Sequence, residues 1–372
     1  MRIGVPKEIK NHEYRVGMTP PGVLELTSRG HEIIIQHDAG HQIGIDDDHY
    51  MAAGARIGED AETVFAEADM IVKVKEPQPS EIDLLREEQT LFTYLHLAPD
   101  AAQTNGLMDS GVTAIAYETV TDDYGGLPLL APMSEVAGRM AVQAGASGLE
   151  IERGGRGVLL GGVPGVMQGN VVIIGGGVVG ANAAFIATGM GANVTVIDKS
   201  QRRMAALDFQ FQSLITTLYS TSLSIEESVM EADLVIGAVL VPGAAAPKLV
   251  TRDMVKAMKR GSVIVDVAID QGGCAETSRP TTHSDPYFMD EGVVHYCVTN
   301  MPGAVARTST FALDNATLPF IIDLAEAGVK GALLKDPHLL HGLNVFGGKV
   351  THAAIAEAQG RPYLDARSAI AG

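Results

Sequence analysis

Three side chains in the first third of the chain have the chemistry to bind a small anion and act on it: Arg15, Lys75 and His96. Each follows a run rich in apolar and β-branched residues, where a strand is predicted to end. Because the carboxyl ends of parallel strands meet at one edge of a sheet, we expect the three side chains to converge. Arginine and lysine bind carboxylates and stabilise negative charge on oxygen, and histidine changes protonation close to neutral pH. The set predicts a site for an anionic substrate with acid–base chemistry.

Each of these residues also has a purely structural interpretation. The ion-pair partners that lie close in sequence are Glu8 and Glu13 for Arg15, and Glu76 for Lys75. His96 could be a hydrogen-bonded histidine of the core. The topological position that the three residues share favours the functional interpretation, since separate structural roles would not require it.

A glycine-rich turn between a strand and a helix has the spacing of a dinucleotide-binding motif. The apolar run Val171–Ile174 predicts the strand, and Gly175, Gly177 and Gly180 follow it at the start of a small-residue helix. The first glycine permits a tight turn, the second lets a pyrophosphate approach the backbone, and the third lets helix and strand pack closely. The N–H groups at the helix N-terminus favour the phosphate charge. The structural alternative is a packing loop without a ligand.

An acidic residue ends the strand after this helix: Asp198 lies 18 residues beyond Gly180. A carboxylate at this position accepts hydrogen bonds from ribose hydroxyls and repels a 2′-phosphate, which favours NAD over NADP. The cations Lys199, Arg202 and Arg203 weaken this preference, because they could offset the charge of a phosphate.

Three further segments follow predicted strands of the same region, and we expect them to line the adenosine and the nicotinamide. They are Val239-Leu240, Val267–Asp270 and Val298–Met301. Asp270 falls just past a strand end, which makes it a candidate for chemistry. Asp266 lies inside the strand and could instead be a satisfied structural carboxylate.

Strands and helices alternate along the chain, which predicts an α/β fold of two doubly wound, Rossmann-like domains with a cleft between them. The predicted strands of the first domain are Arg2–Val5, His31–His37, Asp69–Val74, Thr90–Leu95 and Val112–Tyr117. Those of the second are Val171–Ile174, Val194–Asp198, Thr216–Ser220, Leu234–Val239, Ser262–Val267 and Val293–Val298.

A long helix over Ser134–Glu150, capped by Ser134, is predicted ahead of the second domain, and a glycine-rich loop over Gly154–Gly169 is interpreted as a domain connection. From about Thr308 to the C-terminus the pattern is helical. This last region is too short for a domain of its own. We therefore expect a discontinuous substrate domain, 1–130 plus 305–372, and a continuous NAD-binding domain, 131–304.

The composition excludes several classes of protein. The chain has 372 residues and a formal charge of −18, so nucleic acid and anionic membranes would repel it. Residues 157–197 carry no charge, but eleven glycines interrupt this window, which indicates a buried βαβ unit and not a membrane span. Cys274 and Cys297 form no disulfide framework, and the start resembles no secretory signal, so we predict a cytoplasmic protein. The spacing of the histidines predicts no catalytic metal.

Several longer motifs resemble one family of amino-acid dehydrogenases. The segments MRIGVPKEIKNHEYRVGMTP, IVKVKEP, LFTYLHLAP, AIAYETV, APMSEVAGRMA and VVIIGGGVVGANAA are similar to those of L-alanine dehydrogenases, and the resemblance runs the whole length of the chain. It implies reversible, NAD-dependent oxidative deamination of L-alanine to pyruvate and ammonium, by a homo-hexamer.

Other relatives share part of this pattern. The NAD-binding subunit of proton-translocating transhydrogenase shares the opening motif and the Rossmann domain, but it is not expected to keep His96 or to lack membrane segments after the Rossmann domain. A saccharopine dehydrogenase relative that forms lysine would need a longer substrate pocket. An NAD-sensing module without catalysis would not need the intact set of charged residues.

The resemblance and the motifs together assign a role to each matched residue. The implied catalytic residues are His96 and Asp270, and the implied substrate-binding residues are Arg15, Lys75, Tyr94 and Met133. The predicted cofactor-binding residues are Ser134, Gly175, Gly177, Val178, Val179, Gly180, Asp198, Arg203, Ser220, Val239, Leu240, Val267, Ile269, Asp270, Val298, Asn300 and Met301.

Overall fold

The computed structural model describes residues 1–239 and 246–371, and the chain divides into two compact units. The first unit contains Met1–Met133 and Val305–Gly372, and the second contains Ser134–Ala304. Among the described helices, none combines the length and the apolar character that a membrane span requires.

The first 133 residues alternate short strands with helices. The strands are β1 (Arg2–Val5), β2 (Glu32–Gln36), β3 (Arg56–Gly58), β4 (Met70–Val72), β5 (Thr90–Thr93) and β6 (Thr113–Ala116). The helices are α1 (Pro20–Ser28), α2 (Asp47–Ala52), α3 (Ala61–Glu67), α4 (Pro79–Ile82) and α5 (Ala101–Ser110). Local sequence explains several ends: the Asp60 and Asp100 side chains cap α3 and α5, and Gly111, with a φ of 72°, ends α5.

The second unit repeats the alternation around its own sheet. Its strands are β7 (Asn170–Ile174), β8 (Asn193–Asp198), β9 (Ile215–Tyr219), β10 (Leu234–Gly237), β11 (Val263–Asp266), β12 (Tyr287–Asp290) and β13 (Val293–Tyr296). Its helices are α6 (Ala131–Gly148), which belongs to this unit from Ser134 onward, α7 (Val178–Gly189), α8 (Gln201–Phe211), α9 (Ser222–Glu231) and α10 (Arg252–Ala257).

Two predictions for this region are wrong. Helix α6 begins at Ala131, so Ser134 lies in its first turn and does not cap it. Pro132, which is compatible with the first turn of a helix, allows the earlier start. The glycine-rich segment 154–169 lies inside the second unit and does not connect the two units.

The C-terminal region returns to the first unit and is not entirely helical. It contains α11 (Ala306–Ala327), α12 (Val329–Lys335), α13 (Pro337–His341), β14 (Leu343–Phe346), β15 (Lys349–Val350), α14 (Ala353–Gln359) and α15 (Ala366–Ala371). The prediction of helix alone is wrong here, because β14 pairs antiparallel with both β6 and β15. Gly347 and Gly348, both with positive φ, form the two-residue turn of this hairpin.

Both sheets are doubly wound, which confirms the predicted fold class. The strand order is β15-β14-β6-β5-β4-β1-β2-β3 in the first unit and β12-β13-β11-β10-β7-β8-β9 in the second. In each sheet the first strand along the chain lies in the interior, and the strands that flank it on either side run parallel to it. The strand order reverses at that point, where α/β sheets of this type bind ligands.

Strand β7 shows why the central part of the uncharged window 157–197 has no charged side chain. Val171 and Ile173 pack into one apolar core, while Val172 and Ile174 pack into a second core on the opposite face of the sheet. A strand buried on both faces has no position for a charged side chain. The interpretation of the window as a buried βαβ unit is therefore confirmed for β7, α7 and β8. It is wrong for residues 157–169, which precede β7 and are largely exposed; the side chains of Leu159, Val166 and Met167 are all more than 60% exposed.

A buried carboxyl joins two helices of the first unit. Asp314 of α11 is 3% exposed and accepts a short hydrogen bond from the Thr19 hydroxyl, at the start of α1. Its Oδ1 atom is buried without a hydrogen-bond partner among the described residues. An added Cβ atom at Gly22 would lie 2.9 Å from both carboxyl oxygens, so α1 packs closely on this group. Burial raises the pKa of Asp314 to about 6.

Asp314 should make the stability of the protein depend on pH. A carboxyl whose pKa is raised in the folded state binds its proton more tightly than in the unfolded state, so the free energy of unfolding falls as the pH rises through about 4 to 6. A shift of this size corresponds to an order of 3 kcal/mol. We expect Asp314→Asn to unfold at a higher urea concentration than the wild type at pH 8, and this advantage to shrink at pH 5.

Asp323→Asn is the matched control for this measurement, because Asp323 lies on the same helix but its side chain is 52% exposed. Its effect on stability should change little over the same pH range. An Asp314→Asn effect that was the same at pH 5 and pH 8 would show that Asp314 does not titrate in this range.

Candidate active site

The guanidinium of Arg15 is buried and already holds one carboxylate. Arg15 is 3% exposed, and its Nε and Nη2 atoms donate to the two oxygens of Glu13 at 2.7 and 2.6 Å. The third nitrogen, Nη1, donates to the sulfur of Met133 at 3.0 Å. The ion pair with Glu13 that the sequence offered as an alternative is therefore present, and it fixes the guanidinium in the plane of a two-point contact. Arg15 and Met133 are brought together as the site prediction requires.

Lys75 lies three residues beyond the end of β4, and side chains hold its backbone. Its N–H donates to Glu8 Oε1 at 3.1 Å, and its carbonyl accepts from the Thr93 hydroxyl at 2.9 Å. Its Nζ atom lies 3.9 Å from Glu76 Oε2, at the outer limit of an ion pair. The Lys75 side chain is 17% exposed, so it is accessible but partly shielded from water.

Tyr94 and His96 form a stacked pair beyond β5. Their rings lie 5.9 Å apart at an interplanar angle of 3°. Tyr94 is buried, its hydroxyl donates to the carbonyl of Leu129, and burial raises the pKa of this phenol. The His96 side chain is 51% exposed. His96 is therefore not a histidine of the core, and it has room to exchange protons.

Glu118, after β6, fixes the backbone that presents His96. Its carboxylate accepts from the N–H of His96 at 2.6 Å and from the N–H of Leu95 at 3.2 Å. Its Oε1 atom also lies 3.8 Å from His96 Nδ1. His96 has a φ of 50°, in the left-handed region that a residue with a side chain rarely adopts. The carboxylate contacts stabilise this conformation and orient the ring.

These contacts place the predicted substrate residues along neighbouring strand ends. Strands β4 and β5 are parallel neighbours, and Tyr94 donates its N–H to the carbonyl of Val74 beyond their ends. The segment that carries Lys75 therefore adjoins the segment that carries His96. Arg15 lies close enough to Tyr94 for its positive charge to oppose the rise that burial causes in the pKa of the Tyr94 hydroxyl. The first unit thus gathers two cations, a tyrosine and a histidine at one edge of its sheet.

The glycine turn of the second unit has the close contacts that its motif predicts. Gly175 has a φ of 102°, and Gly180 approaches the Gly175 carbonyl so closely that an added Cβ would lie 1.9 Å from that oxygen. Around Gly177, in contrast, an added Cβ would find no atom within 4 Å. The turn therefore combines tight helix–strand packing with open space over its second glycine. This geometry fits a pyrophosphate that lies against the backbone at the N-terminus of α7.

Asp198 lies at the end of β8 beside this turn. Its Oδ2 accepts from the N–H of Gly176 at 2.6 Å, and its Oδ1 accepts from the N–H of Ser200 at 2.7 Å. Arg203 donates to the carbonyls of Gly176 and Gly177. Both charged side chains are thus tied to the backbone of the turn, where they can contact the ribose of a dinucleotide.

The remaining predicted cofactor residues of the second unit follow strands of the same sheet. Parallel register places the ends of β7, β10 and β11 level with one another, and those ends precede Val178, Val179, Val239 and Val267. Ser220 follows β9 and donates its N–H to the carbonyl of Asp198, Asn300 and Met301 follow β13, and Ser134 lies in α6. Asp270 is exposed. Leu240 lies outside the described residues.

Some of these side chains point into the protein. Val298 and Met301 pack in the apolar core of the second unit, and Ile269 is 3% exposed. Any contact between these three residues and a cofactor would have to use their backbone. Asp266 is the structural carboxylate that the sequence allowed for, because it accepts from the N–H groups of Ala268 and Cys274 and from the Ser278 hydroxyl.

Several residues that organise the site were not predicted as site residues. The carboxylates of Glu8, Glu13 and Glu118 hold the backbone or the guanidinium of a predicted residue, and Lys73 and Glu81 lie behind Glu8. The sequence had offered Glu8 and Glu13 only as ion-pair partners of Arg15. One signal was available in the sequence. Lys73 interrupts the apolar run from Met70 to Val74, and a charge inside such a run requires a buried partner.

One group of surface residues in the described part of the chain has donor atoms close enough to hold a metal ion. The donors of His37, Asp38 and Asp47 lie within 4.8 Å of one another. His37 Nδ1 is hydrogen-bonded to Asp47 at 2.6 Å, and the His37 side chain is largely exposed. None of the predicted site residues belongs to this group.

The fold and the site define a two-unit α/β protein that binds a nicotinamide nucleotide through a Rossmann-like unit. Two family models match most of the chain: "Alanine dehydrogenase/PNT, N-terminal domain" matches residues 4–137, and "Alanine dehydrogenase/PNT, C-terminal domain" matches residues 141–353. The chain belongs to the alanine dehydrogenase/PNT family.

Individual relatives differ in how similar they are to this chain. The alanine dehydrogenase of Halomonas elongata is 60% identical over 370 residues, which cover 100% of both chains. A solved structure of an L-alanine dehydrogenase is 53% identical, with a TM-score of 0.94 over 97% of this chain and 99% of that one. A solved transhydrogenase from Sinorhizobium meliloti is 26% identical, with a TM-score of 0.82 over 95% of this chain and 100% of that one.

Proposed function

We propose that this protein is an NAD-dependent alanine dehydrogenase that interconverts L-alanine with pyruvate and ammonium. The observation that carries the proposal is the full-length similarity to alanine dehydrogenases, at 60% identity in one case, against 26% for the transhydrogenase. The set of Arg15, Lys75, His96 and Asp270 supports the same reaction. A soluble, transhydrogenase-like NAD-binding subunit is the alternative, supported by the shared fold alone.

Substrate binding falls to the first unit. Lys75 stabilises the negative charge that grows on the carbonyl oxygen of pyruvate when ammonia adds to the carbon. Arg15 interacts with the substrate carboxylate, and the Glu13 contact sets the direction in which its guanidinium points. Tyr94 and Met133 line the small pocket for the methyl side chain of the substrate.

Proton transfer falls to His96 and Asp270. His96 passes a proton to or from the substrate oxygen through the carbinolamine stage, and its exposed ring can exchange that proton with water. Asp270 orients the ammonium or the departing water. When bound, the nicotinamide supplies the hydride that reduces the imine carbon, or accepts it in the reverse direction.

The glycine turn, with the residues at the strand ends of the second unit, holds the cofactor. Asp198 beside the turn favours NAD over NADP, since its carboxylate would repel a 2′-phosphate. We propose in addition that the protein acts in the cytoplasm as a homo-hexamer and needs no metal, nucleic acid or membrane as a partner. These last points rest on the resemblance and on the acidic composition.

One assay tests the reaction. The protein is mixed with NADH, pyruvate and ammonium, and NADH absorbance is followed, with NADPH as the cofactor control and 2-oxoglutarate plus lysine as the substrate control. We expect NADH oxidation only with pyruvate and ammonium. Silence with pyruvate, together with hydride transfer from NADH to an oxidised nicotinamide analogue, would favour the transhydrogenase-like alternative.

Glu118 should affect catalysis through His96 without touching the substrate. Glu118→Ala leaves two backbone N–H groups without their acceptor and releases the left-handed conformation of His96. We expect kcat to fall by about 10- to 100-fold, since small displacements of a catalytic group are costly, while the Kd for NADH stays unchanged. Glu118→Gln keeps an acceptor oxygen and should lose less. Equal kcat values for the wild type and the alanine variant would contradict this role.

A further inference from the structure

Lys73 is a fully buried cation with two buried anionic partners. It is 0% exposed, and its Nζ atom lies 2.6 Å from Glu81 Oε1 and 3.1 Å from Glu8 Oε2. Both glutamate side chains are at most 3% exposed. The three charges form a closed cluster inside the first unit, which we call the Glu8–Lys73–Glu81 triad. None of the substrate-binding or proton-transfer roles proposed above is assigned to a residue of this triad.

Burying three ionisable side chains costs folding free energy, so a triad of this kind is expected where it has a specific role. Each ion loses its hydration, and replacing such a group with apolar side chains often leaves stability unchanged or improves it. Here one ammonium faces two carboxyl groups, and burial raises the pKa of Glu8. A purely apolar contact would fill the same space at lower cost. The arrangement therefore requires an explanation beyond packing.

The explanation lies in what the second oxygen of Glu8 does. While Oε2 faces Lys73, Oε1 accepts from the N–H of Val74 at 2.7 Å and from the N–H of Lys75 at 3.1 Å. Strand β4 ends at Val72, so these two N–H groups have left the sheet ladder. The ion pair with Lys73 fixes the Glu8 carboxylate, and the carboxylate in turn fixes the backbone of Lys75.

Two more contacts complete the clamp. The Thr93 hydroxyl donates to the carbonyl of Lys75 at 2.9 Å, so side chains hold both the N–H and the carbonyl of this residue. Glu81 uses its other oxygen to accept from the N–H of Gln78 at 2.8 Å, at the start of α4. Glu81 therefore secures Lys73 and forms no hydrogen bond with Lys75 in the described part of the chain. The triad has one arm on the Lys75 backbone and one arm away from it.

We infer that the Glu8–Lys73–Glu81 triad positions Lys75. By fixing the backbone of Lys75, the triad places its ammonium where it can contact the substrate oxygen. Glu8 and Thr93 are the positioning residues that act directly on the Lys75 backbone, and Lys73 and Glu81 hold Glu8 in place. This inference rests on the proposed role of Lys75 in binding the substrate.

The test compares variants of the two residues that contact the Lys75 backbone with a control variant on the same strand. In Glu8→Gln the side chain can satisfy the backbone N–H groups or face Lys73, but not both, and Thr93→Val removes the hydroxyl without changing the shape. We expect both variants to raise the KM for pyruvate by about 10- to 100-fold, with an unchanged Kd for NADH. The control is Thr90→Val, which makes the same change at another buried threonine of β5 and should leave the KM for pyruvate unchanged.

The outcomes separate the possible explanations. If the wild type fails to oxidise NADH with pyruvate and ammonium, the proposed function is wrong. If the wild type is active and Thr93→Val keeps a wild-type KM for pyruvate, the positioning role is wrong, even if Glu8→Gln does not fold. If Thr90→Val raises the pyruvate KM as much as Thr93→Val at an equal loss of melting temperature, the effect is one of general stability and the inference is overturned.

Discussion

Lys75→Met is expected to lower kcat/KM for pyruvate by about 10³-fold, which is the loss seen when a group that stabilises an oxyanion is removed. Methionine keeps most of the length and the apolar stem of lysine but has no charge. The ammonium lies 3.9 Å from Glu76, at the outer limit of an ion pair, and Glu76 keeps its second ion pair, with Lys10, in this variant. The melting temperature and the Kd for NADH should therefore stay close to those of the wild type.

Lys10 offers a matched control for this variant. Lys10 forms an ion pair with the same carboxylate, Glu76, from a position where its side chain is 41% exposed. Lys10→Met removes the same charge at the same partner, but it leaves Lys75 in place, so we expect less than about a twofold change in kcat/KM. An equal loss of kcat/KM in the two variants would mean that the effect arises from the unpaired carboxylate of Glu76, and not from a contact between Lys75 and the substrate. Full activity in Lys75→Met would remove Lys75 from the site.

The sequence was most informative where a local pattern has a local cause. Buried parallel strands require runs of β-branched residues, and the run Val171–Ile174 satisfies this requirement on both faces of its sheet. The glycine spacing after it reflects contacts across five residues, since Gly180 packs against Gly175. Features of this kind, together with the alternation of strands and helices, were enough to predict the fold class.

The sequence was least informative where contacts join distant segments. Glu118 and His96 are 22 residues apart, and Thr19 and Asp314 are 295 residues apart, so no periodicity links either pair. The left-handed backbone of His96 was also invisible, because such strain depends on the tertiary contacts that hold it. The missed hairpin of β14 and β15 is a different case. Its Gly347-Gly348 turn was readable, but the surrounding helical pattern concealed it.

The charge of the site also needed the structure. The sequence placed Arg15 and Lys75 as a local positive patch in a chain of charge −18. The structure shows that Glu13, Glu8 and Glu118 lie among the same residues, and that they bind the backbone and the guanidinium. These residues therefore do not act mainly through a net positive charge. They act as hydrogen-bond donors whose directions are fixed by the neighbouring carboxylates. Preorganised donors of this kind stabilise developing charge without reorganisation during the reaction.

Gly177→Ala and Gly180→Ala should both weaken NADH binding strongly, but for different reasons. Measuring the Kd for NADH and the free energy of unfolding of each variant separates these reasons. At Gly177 an added Cβ meets no protein atom within 4 Å, and the φ of −63° suits alanine. We expect stability to change by less than about 1 kcal/mol. The methyl group would occupy the space through which a pyrophosphate approaches the backbone, so the Kd for NADH should rise by more than about 100-fold.

At Gly180 the same methyl group would lie 1.9 Å from the Gly175 carbonyl oxygen, a distance that no relaxation of a side chain can relieve. Helix α7 would have to move away from β7, at a cost of about 3 kcal/mol. Gly189→Ala is the control: it lies at the other end of α7, where a Cβ also meets nothing within 4 Å, and it should affect neither property. If Gly177→Ala bound NADH as tightly as the wild type, the turn would not hold the pyrophosphate. Unchanged stability in Gly180→Ala would contradict the close helix–strand contact on which the whole motif depends.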